Sequence, residues 1–344
     1  MNKEVRVAIV GVGAMGKLIA RAVLERRLKI VGAFDSDEKI VGKDLGEVIG
    51  IEKRLEIPID CDLQNLRNTK ANIALYATVA RLKEHLPHIL PAMEAHMDII
   101  STSEELCYPW HLPEAAEIDE RAKRFGVTVL GTGVNPGFTA DVLPVVLTSL
   151  CHEVDKVEVK RVVDLSPYSL RDMRMWGVGL SPEEWWKLKR EGKVGQIGMA
   201  CSAYYIADCL GVKLENIVEE LKPFTSRVRR KGLYITVEPG KVVKFEQKVY
   251  GRFNGEEFVS FTMIGDLDPL AEKTCEPGVF IQITGKPNIR VELQGTTLGE
   301  EGALATTARI VNMIPIVMAA PAGLITQNTL PVGPCGVHLP LWEG

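Results

Sequence analysis

Apolar residues follow two alternating patterns up to about residue 130. Short apolar runs typical of buried strands alternate with segments in which apolar residues recur at helical spacing. The predicted strands are Val5–Val10, Lys29–Phe34, Asn72–Ala77, Asp98–Ser101 and Val127–Leu130, and the predicted helices are the segment from the first strand to about Leu28, Arg81–Met97 and Pro113–Phe125. Such alternation favours a doubly wound parallel α/β sheet of the Rossmann type.

The pattern changes near residue 135. The predicted elements are then a helix Thr139–Leu150, a strand Lys156–Asp164, an irregular stretch Ser166–Gly198, helical residues to about Leu221, a strand-rich segment Arg227–Leu293, a helix Glu300–Ala319 and a tail Pro331–Gly344 along the core surface. We therefore expect a dinucleotide-binding domain over 1–134, an α+β domain with a mostly antiparallel sheet over 135–300, and a segment 301–344 that returns to the first domain. The open face of the second sheet predicts a homodimer.

The junction between the first strand and the first helix has the spacing G-x-G-x-x-G, as Gly11, Gly13 and Gly16. The first glycine permits a tight turn, the second lets the backbone approach a pyrophosphate, and the third lets helix and strand pack closely. The phosphates would lie on unpaired N–H groups around Ala14 and Met15, at the helix N-terminus. A glycine-rich turn without a ligand is the alternative, but the flanking strand and helix favour a dinucleotide site.

The second strand ends in Asp35, 24 residues after Gly11. A carboxylate there would accept hydrogen bonds from the ribose hydroxyls of NAD and repel the 2′-phosphate of NADP. Ser36, a further cofactor contact, and Lys39 partly offset that repulsion. We therefore expect NAD as the cofactor, with NADP as the second choice.

Loops at the carboxyl ends of parallel strands are the expected ligand contacts of such a sheet. The further residues assigned to the cofactor are Thr78, Val79, Thr102, Gly133 and Asn135. The last two lie in GTGVNPGF, residues 131–138, where two glycines and a Pro-Gly step bring the backbone close to a ligand. A hinge between domains that contacts no ligand is the alternative.

Glu104 and Glu105 follow the strand Asp98–Ser101 on its carboxyl side, where a nicotinamide ring would lie. A carboxylate at that place can act as a general acid or base. The structural alternative is a helix capped by Thr102 or Ser103, with both acids in the first turn, where the helix dipole favours them. The spacing leaves both interpretations open.

Composition narrows the class of protein. The 344 residues carry a net charge of −4, which gives no general attraction to nucleic acid or to an anionic membrane. The basic run Arg227–Lys231 merges with a strand pattern and is expected to be a solvated strand face. The apolar run Ile310–Ile325 is too short, and too interrupted by proline, for a comfortable membrane span, so a buried helix is predicted.

Cysteines and histidines indicate neither disulfides nor a metal. The seven cysteines contain no C-x-x-C pair and no signal-peptide pattern precedes the first strand, so we expect free thiols and a cytoplasmic location. Cys107 is expected to be a buried thiol. His85 and His88 lie three apart, but no acid or cysteine completes a ligand set, and Pro87 and Pro91 are expected to disturb the helix.

Longer segments resemble a known family. GVGAMGKLIARAVLER, VGAFD and the later α+β domain are similar to the dihydrodipicolinate-reductase-like group. STSEEL, GTGVNPGF and ARIVNMIPIVMAAPAGL narrow the resemblance, over essentially the whole chain, to 2,4-diaminopentanoate dehydrogenases and their relatives, the native amine dehydrogenases. The His-His and Lys-rich segment of dihydrodipicolinate reductases is missing from the sequence, which argues against that activity.

The resemblance implies NAD(P)-dependent oxidative deamination of a primary amine on a secondary carbon. For 2,4-diaminopentanoate the products are 2-amino-4-oxopentanoate and ammonia, a reaction of ornithine degradation. It also implies a catalytic acid within residues 101–106, which we assign to Glu104, with Glu105 as the second choice. A dehydrogenase acting on a hydroxyl group and a non-catalytic NAD(H)-sensing protein are the alternatives.

An amino-acid-like substrate needs a cation or N–H donors for its carboxylate and an acceptor for its spare ammonium group. Arg161 and Asp164, on the first strand of the second domain, and Tyr168 beyond it are the candidates. Asn135 and Phe138 are expected to line the pocket, because they lie where the predicted domains meet. Ordinary surface charges on a half-buried strand are the alternative for Arg161 and Asp164.

Overall fold

The computed structural model describes residues 4–271, 276–295 and 299–335. The chain divides into two compact units, Met1–Gly137 with Ala303–Gly344, and Phe138–Gly302. The strands are β1 Arg6–Val10, β2 Lys29–Phe34, β3 Ile59–Asp60, β4 Ile73–Tyr76, β5 Asp98–Ser101, β6 Thr128–Gly131, β7 Glu153–Asp164, β8 Asn216–Thr225, β9 Arg230–Lys231, β10 Thr236–Val237, β11 Val242–Phe253, β12 Glu256–Asp266, β13 Gly278–Lys286, β14 Ile289–Leu293 and β15 Gly323–Ile325. The helices are α1 Ala14–Glu25, α2 Leu45–Ile49, α3 Leu66–Thr69, α4 Leu82–Glu94, α5 Glu114–Phe125, α6 Val142–Thr148, α7 Leu170–Met175, α8 Pro182–Arg190, α9 Met199–Cys209 and α10 Gly299–Ala319.

The first unit contains a parallel sheet in the order β15-β6-β5-β4-β1-β2-β3. Successive residues of β1 enter two different cores, because side chains alternate along a strand. Val7 and Ile9 pack with α1, α2 and α10, whereas Ala8 and Val10 pack with α3, α4 and α5. Helices therefore cover both faces, and the predicted doubly wound Rossmann sheet is confirmed.

The order of this sheet reverses between β1 and β4, which start its two halves. In doubly wound sheets the ligand crevice lies at the carboxyl ends of the strands at this reversal. The residues that follow β1, β2, β4, β5 and β6 are therefore the ones that form the candidate site.

Within the described part of the chain, α10 is the helix whose length and apolar composition would suit a membrane span. Its residues Ile310, Met313, Ile314 and Val317 are buried in the core that also contains Val7 of β1. It is therefore a core helix of the first unit.

The second unit contains a sheet in the order β14-β13-β7-β12-β11-β8, in which only β7 and β12 pair in parallel. The predicted mostly antiparallel sheet is confirmed. Helix α9 packs on β11 and β12, and α6 packs on β7 and β13. The covered face holds Phe245, Gln247 and Val249 of β11, which are buried, whereas the alternating residues Lys244 and Lys248 are only half-buried.

Two predictions on secondary structure in the second unit are wrong. The stretch Ser166–Gly198 is not irregular throughout, because it contains α7 and α8; Ser181 and Glu184 form a capping box at the start of α8. Helical structure does not continue to Leu221, because α9 ends at Cys209 and β8 follows, paired with β11.

One local expectation is also wrong, and another is wrong at a single residue. Pro87 and Pro91 lie inside α4, which stays one helix because its buried face packs against the sheet. The basic run Arg227–Lys231 is exposed as predicted except at Arg230, which is 1% exposed and donates to the carbonyl oxygens of Leu267 and Asp268. The tail prediction lies outside the described residues from 336 onward; Gly333 lies against Met313 of α10.

Candidate functional site

The glycine loop between β1 and α1 is closed at two of its glycines and open at the third. A Cβ on Gly11 would lie 2.3 Å from the carbonyl oxygen of Ala77, and a Cβ on Gly16 would lie 1.7 Å from that of Gly11. A Cβ on Gly13 would meet nothing within 4 Å, and no side chain caps α1 there. The start of α1, with Ala14 and Met15 in its first turn, therefore has open space beside Gly13 and no side-chain cap, which fits the pyrophosphate of a dinucleotide.

Asp35 lies directly beside this loop. One carboxylate oxygen accepts the N–H of Val12 at 2.6 Å, and the other accepts the N–H of Asp37 at 2.9 Å. Ser36 and Lys39 are exposed next to it. The carboxylate is thus fixed at the end of β2, where the sequence predicted contact with the adenosine ribose.

The loop after β4 contains Thr78 and Val79, with Thr78 exposed and Val79 half-buried. The hydroxyl oxygen of Thr78 lies 3.4 Å from Nδ1 of His85, a residue of α4 that is fully buried. Burial, and secondarily the nearby His88, lowers the pKa of His85 to about 3. The ring is therefore neutral at physiological pH.

Glu104 and Glu105 have different surroundings. Glu105 accepts the N–H of Leu82, the first residue of α4, at 2.7 Å and lies 3.7 Å from the guanidinium of Arg81. Glu104 is half-buried, and apart from its own N–H no described group bonds to its carboxylate. Burial, with the charge of Glu105 adding to it, raises the pKa of Glu104 to about 7.

The expectation of helix capping by these acids is thereby corrected in one respect. The residues after Thr102 form only a short 3-10 turn, Glu105–Cys107, and the helix that receives a cap is α4, which precedes β5. Glu105 is thus engaged as a cap, whereas the carboxylate of Glu104 has no described partner besides its own N–H.

Gly131 explains how this turn fits against the sheet. A Cβ on Gly131 would lie 2.3 Å from the carbonyl carbon of Leu106, so only glycine lets the turn pack on the end of β6. The buried thiol of Cys107 lies 3.5 Å from the carbonyl oxygen of Pro136, in the same glycine-rich segment. The segment that holds Gly133 and Asn135 is therefore packed against the turn that carries Glu104.

Asn135 stands out within this segment. Both polar atoms of its side-chain amide are buried and have no hydrogen-bond partner among the described residues. Buried amides are almost always paired, so this one is a candidate ligand contact. The division between the two units falls directly after the segment, between Gly137 and Phe138.

Sequence reasoning missed two residues, one beside the segment 131–138 and one beside the glycine loop. The hydroxyl of Thr306 lies 3.4 Å from the N–H of Val134, and that of Thr307 lies 3.7 Å from the sulfur of Met15. Both residues belong to α10, which reaches the carboxyl edge of the first sheet through contacts between residues far apart in the sequence. The Thr-Thr pair was visible in the sequence, but nothing local pointed to the site.

In the second unit, Arg161 lies on the covered face of the sheet. It pairs across strands with Met263, which in turn pairs with Gln247 on that face. Arg161 is 8% exposed, and it has no ion-pair or hydrogen-bond partner among the described side chains. Burial lowers the pKa of Arg161, and the nearby Tyr168 opposes that shift. A buried guanidinium with no counter-charge among the described side chains is a candidate anion site.

Tyr168, whose charge affects Arg161, belongs to a row of packed aromatic rings. The rings of Tyr168 and Trp176 are 5.4 Å apart in an edge-on arrangement, and those of Trp176 and Phe245 are stacked at 5.6 Å. The indole N–H of Trp176 is buried without an acceptor among the residues described. Trp176 was not predicted as a site residue; its presence in a Trp- and Met-rich stretch was the available signal.

Asp164 does not join this cluster, which corrects the expectation for it. Asp164 is three positions after Arg161 on β7, so the two side chains lie on opposite faces of the sheet. Its carboxylate accepts both the N–H and the hydroxyl of Ser166, at 2.8 and 2.6 Å. Phe138 is half-buried at the start of the second unit, and its carbonyl oxygen accepts the N–H of Leu143.

The described residues contain no group of three or more His, Cys, Asp or Glu side chains that could hold a metal ion. The site therefore consists of a glycine loop, a ribose-side carboxylate and an acidic turn at the carboxyl edge of a Rossmann sheet. This combination defines a dinucleotide-dependent oxidoreductase.

Comparison with known proteins agrees with this class. Residues 138–338 match the family model of the 2,4-diaminopentanoate dehydrogenase C-terminal domain. The chain is 32% identical over 337 residues to a 2,4-diaminopentanoate dehydrogenase of Acetoanaerobium sticklandii, covering 96% of this chain and 94% of that protein. It is 24% identical to an amine dehydrogenase of Streptomyces virginiae, covering 94% and 95% of the two chains. A solved amine dehydrogenase from Mycobacterium smegmatis matches with a TM-score of 0.84 and 25% identity, covering 96% of this chain and 97% of that one.

The chain therefore belongs to the 2,4-diaminopentanoate dehydrogenase family, a family of NAD(P)-dependent amine dehydrogenases. The family resemblance, the oxidoreductase class and the nicotinamide cofactor predicted from the sequence are confirmed.

Proposed function

We propose that this enzyme oxidatively deaminates 2,4-diaminopentanoate to 2-amino-4-oxopentanoate and ammonia, reversibly and with NAD as the preferred cofactor. The observation that carries the proposal is Glu104, a half-buried carboxylate just beyond the carboxyl end of β5 with a pKa raised to about 7. The 2,4-diaminopentanoate dehydrogenase at 32% identity supports the choice of substrate. A place in ornithine degradation and a cytoplasmic location stay predictions.

The reaction converts an amine, water and oxidised cofactor into a ketone, ammonia, reduced cofactor and a proton. The nicotinamide, when bound, accepts a hydride from the amine-bearing carbon. The C–H bond breaks as the C=N bond of an iminium ion forms, so positive charge develops on carbon and nitrogen. Water then adds to that carbon, and ammonia leaves as the C=O bond forms.

Glu104 suits both proton transfers of this sequence. Its carboxylate can hold the amine by a hydrogen bond, stabilise the developing positive charge and take a proton from the attacking water. A pKa near 7 lets it give that proton back in the amination direction. The unpaired amide of Asn135, in the segment packed on the same turn, is proposed as a second polar contact for cofactor or amine.

Substrate recognition is assigned to the cluster around Arg161. Arg161 has no counter-charge among the side chains that the structure describes, and a guanidinium binds a carboxylate by charge-assisted hydrogen bonds. The indole N–H of Trp176, whose ring packs edge-on against Tyr168, is proposed as a further donor for the substrate. This chemistry favours an amino-acid-like amine over a plain aliphatic one.

The preference for NAD rests on Asp35. Two backbone hydrogen bonds hold its carboxylate at the end of β2, so its negative charge stays where a 2′-phosphate would have to bind. The exposed Lys39 next to it lowers that repulsion and leaves room for some activity with NADP.

A homodimer remains part of the proposal. The sheet face opposite α9 is polar, with Lys156 paired to Glu158 and Glu257 at 2.8 and 3.2 Å. An interface on this face would be hydrophilic. Sedimentation velocity at micromolar concentration tests it, and a monomer alone would remove it.

The deciding experiment is NADH oxidation with 2-amino-4-oxopentanoate, with and without ammonium. An amine dehydrogenase consumes NADH only when ammonium is present, and mass spectrometry should then find the diamino acid. Turnover without ammonium would identify a ketone reductase instead. Binding of NADH without turnover in either case would favour a sensing protein.

A further inference from the structure

We infer that the first turn of α4 positions both the catalytic turn and the cofactor loop, with Glu105 and His85 as the two positioning residues. Both act through other residues, Glu105 as the cap of α4 and His85 as the partner of Thr78. The inference rests on the proposed function for the role of Glu104.

Glu105 ties the turn that carries Glu104 to the start of α4. Its carboxylate accepts the N–H of Leu82 at 2.7 Å, and its own N–H donates to the carbonyl oxygen of Ala80 at 3.2 Å. The hydroxyl of Ser103 donates to the same carbonyl at 2.8 Å. The N-terminal residue of α4, Arg81, supplies no side-chain cap, so the helix depends on Glu105 for one.

Glu104 lacks an anchor of its own, since none of the other described residues bonds to its carboxylate. Its place is therefore set by the backbone on either side of it. Ser103 and Glu105 hold this backbone by hydrogen bonds to the residues at the start of α4. Leu106 holds it from the other direction by packing on Gly131. Loss of the Glu105 bond would release the first of these two supports.

His85 extends the same turn of α4 to the cofactor loop. It lies one helical turn after Leu82, is fully buried, and places Nδ1 3.4 Å from the hydroxyl of Thr78. Its ring packs edge-on against Tyr76 of β4 at 5.4 Å. A buried histidine that stays neutral is a fixed hydrogen-bond partner, so it can hold the Thr78 hydroxyl in one orientation.

The two contacts meet on four residues of one helix, Leu82 to His85. A displacement of α4 would move Thr78 and Glu104 together, so cofactor seating and alignment of the acid are mechanically linked. The order of the chain hides this link, because Glu105 follows Leu82 by 23 residues.

The first experiment compares Glu105→Gln with Glu105→Ala. Glutamine keeps an oxygen for the N–H of Leu82, whereas alanine removes it. We expect Glu105→Ala to lower kcat by roughly ten- to a hundredfold, as a misplaced catalytic group does, with the amine KM changed less than about threefold. Glu105→Gln should restore kcat to within about threefold of the wild type. If Glu105→Ala does not fold, Glu105→Asp, which is too short to reach Leu82, replaces it.

Asp62→Ala is the matched control, since Asp62 caps the short turn Leu63–Asn65 through the N–H of Gln64 and is exposed. It should lower Tm with kcat unchanged. A Glu105→Ala variant that loses Tm but keeps kcat would overturn the inference, as would equal losses of kcat in the Gln and Ala variants.

The second experiment measures the Kd of NADH for Thr78→Val, His85→Phe and the double variant. Each single change should raise the Kd of NADH by roughly three- to tenfold. The Kd of the double variant should not exceed that of the single variant with the larger increase. Additive losses would show that His85 does not act through Thr78. This binding experiment needs no turnover, so its result is independent of the ammonium experiment. Absence of ammonium-dependent turnover in the wild type would contradict the proposed function but not the coupling between Thr78 and His85.

Discussion

The carboxylate of Asp35 accepts a 2.6 Å hydrogen bond from the backbone N–H of Val12, inside the glycine loop. The residue expected to select the ribose therefore also fixes the loop expected to hold the pyrophosphate. A hydrogen bond to a charged acceptor contributes about 1.5–3 kcal/mol. The proposed cofactor preference and the geometry of the loop thus depend on the same side chain.

Substitutions of Asp35 should separate these two roles. Asp35→Asn keeps an acceptor oxygen for Val12 but removes the charge, so the ratio of kcat/KM for NADP to that for NAD should rise at least about tenfold. Asp35→Ala removes the bond as well and should weaken both cofactors. Steady-state kinetics with each cofactor measures the ratio. An unchanged ratio in Asp35→Asn would mean that the carboxylate does not face the ribose.

Glu104→Gln should leave NAD binding nearly intact while kcat falls by roughly two to four orders of magnitude, the range of a positioned acid–base group. Glu105→Gln should cost far less, because its amide oxygen still caps α4. Cofactor titration alongside turnover checks the pair. The reverse order of effects would move the catalytic role to Glu105, and no effect in either would leave both acids as structural groups.

The pH dependence of deamination should show Glu104 directly. With a pKa of about 7, the carboxylate becomes a competent base as pH rises through neutrality, so kcat/KM should increase there. A second increase should follow as the substrate amine loses its proton, at about pH 10 for an alkylammonium group. The residual activity of Glu104→Gln should lack the lower step. If the step near pH 7 persists in Glu104→Gln, another group is responsible for it.

Glu104 should also make stability depend on pH. Its pKa is raised from the ordinary 4.5 to about 7 in the folded protein, so the folded state binds the proton more tightly. That stabilisation is fully present below about pH 4.5 and is lost as pH rises through about 7. The free energy of unfolding of Glu104→Gln should therefore exceed that of the wild type by about 1–3 kcal/mol at pH 8.5. The difference between the two proteins should be smaller at pH 5. Urea unfolding of both proteins at the two pH values measures these differences. The same difference at both pH values would contradict the prediction.

Arg161→Met should raise the KM for 2,4-diaminopentanoate by roughly ten- to a hundredfold, because a charge-assisted hydrogen bond to the carboxylate is lost. The KM for an amine without a carboxylate, such as 2-aminopentane, should not rise. Lys160→Met, on the exposed face of the same strand, is the control and should change neither. An unchanged KM for the diamino acid in Arg161→Met would remove Arg161 from the substrate site.

Much of the first unit could be predicted, because its signals are local. The spacing of Gly11, Gly13 and Gly16 reflects contacts within one strand–turn–helix unit, and Asp35 is fixed by the length of the next strand. In the second unit the same reasoning predicted the antiparallel sheet but not β8, since an amphipathic strand after a helix has no local boundary signal stronger than Gly211.

The sequence by itself determined the sheet type, the dinucleotide loop and the pair of acids at the carboxyl edge, because hydrophobic periodicity and turn chemistry depend on neighbouring residues. Only the tertiary structure decided that Glu105 caps α4 while Glu104 stays without such a partner, since that bond joins residues 23 apart. It also decided that Arg161 lies on the covered face and Asp164 on the other, and that Arg230 is buried. Burial and long-range hydrogen bonds arise from how strands and helices pack, and a local pattern of residues does not specify them.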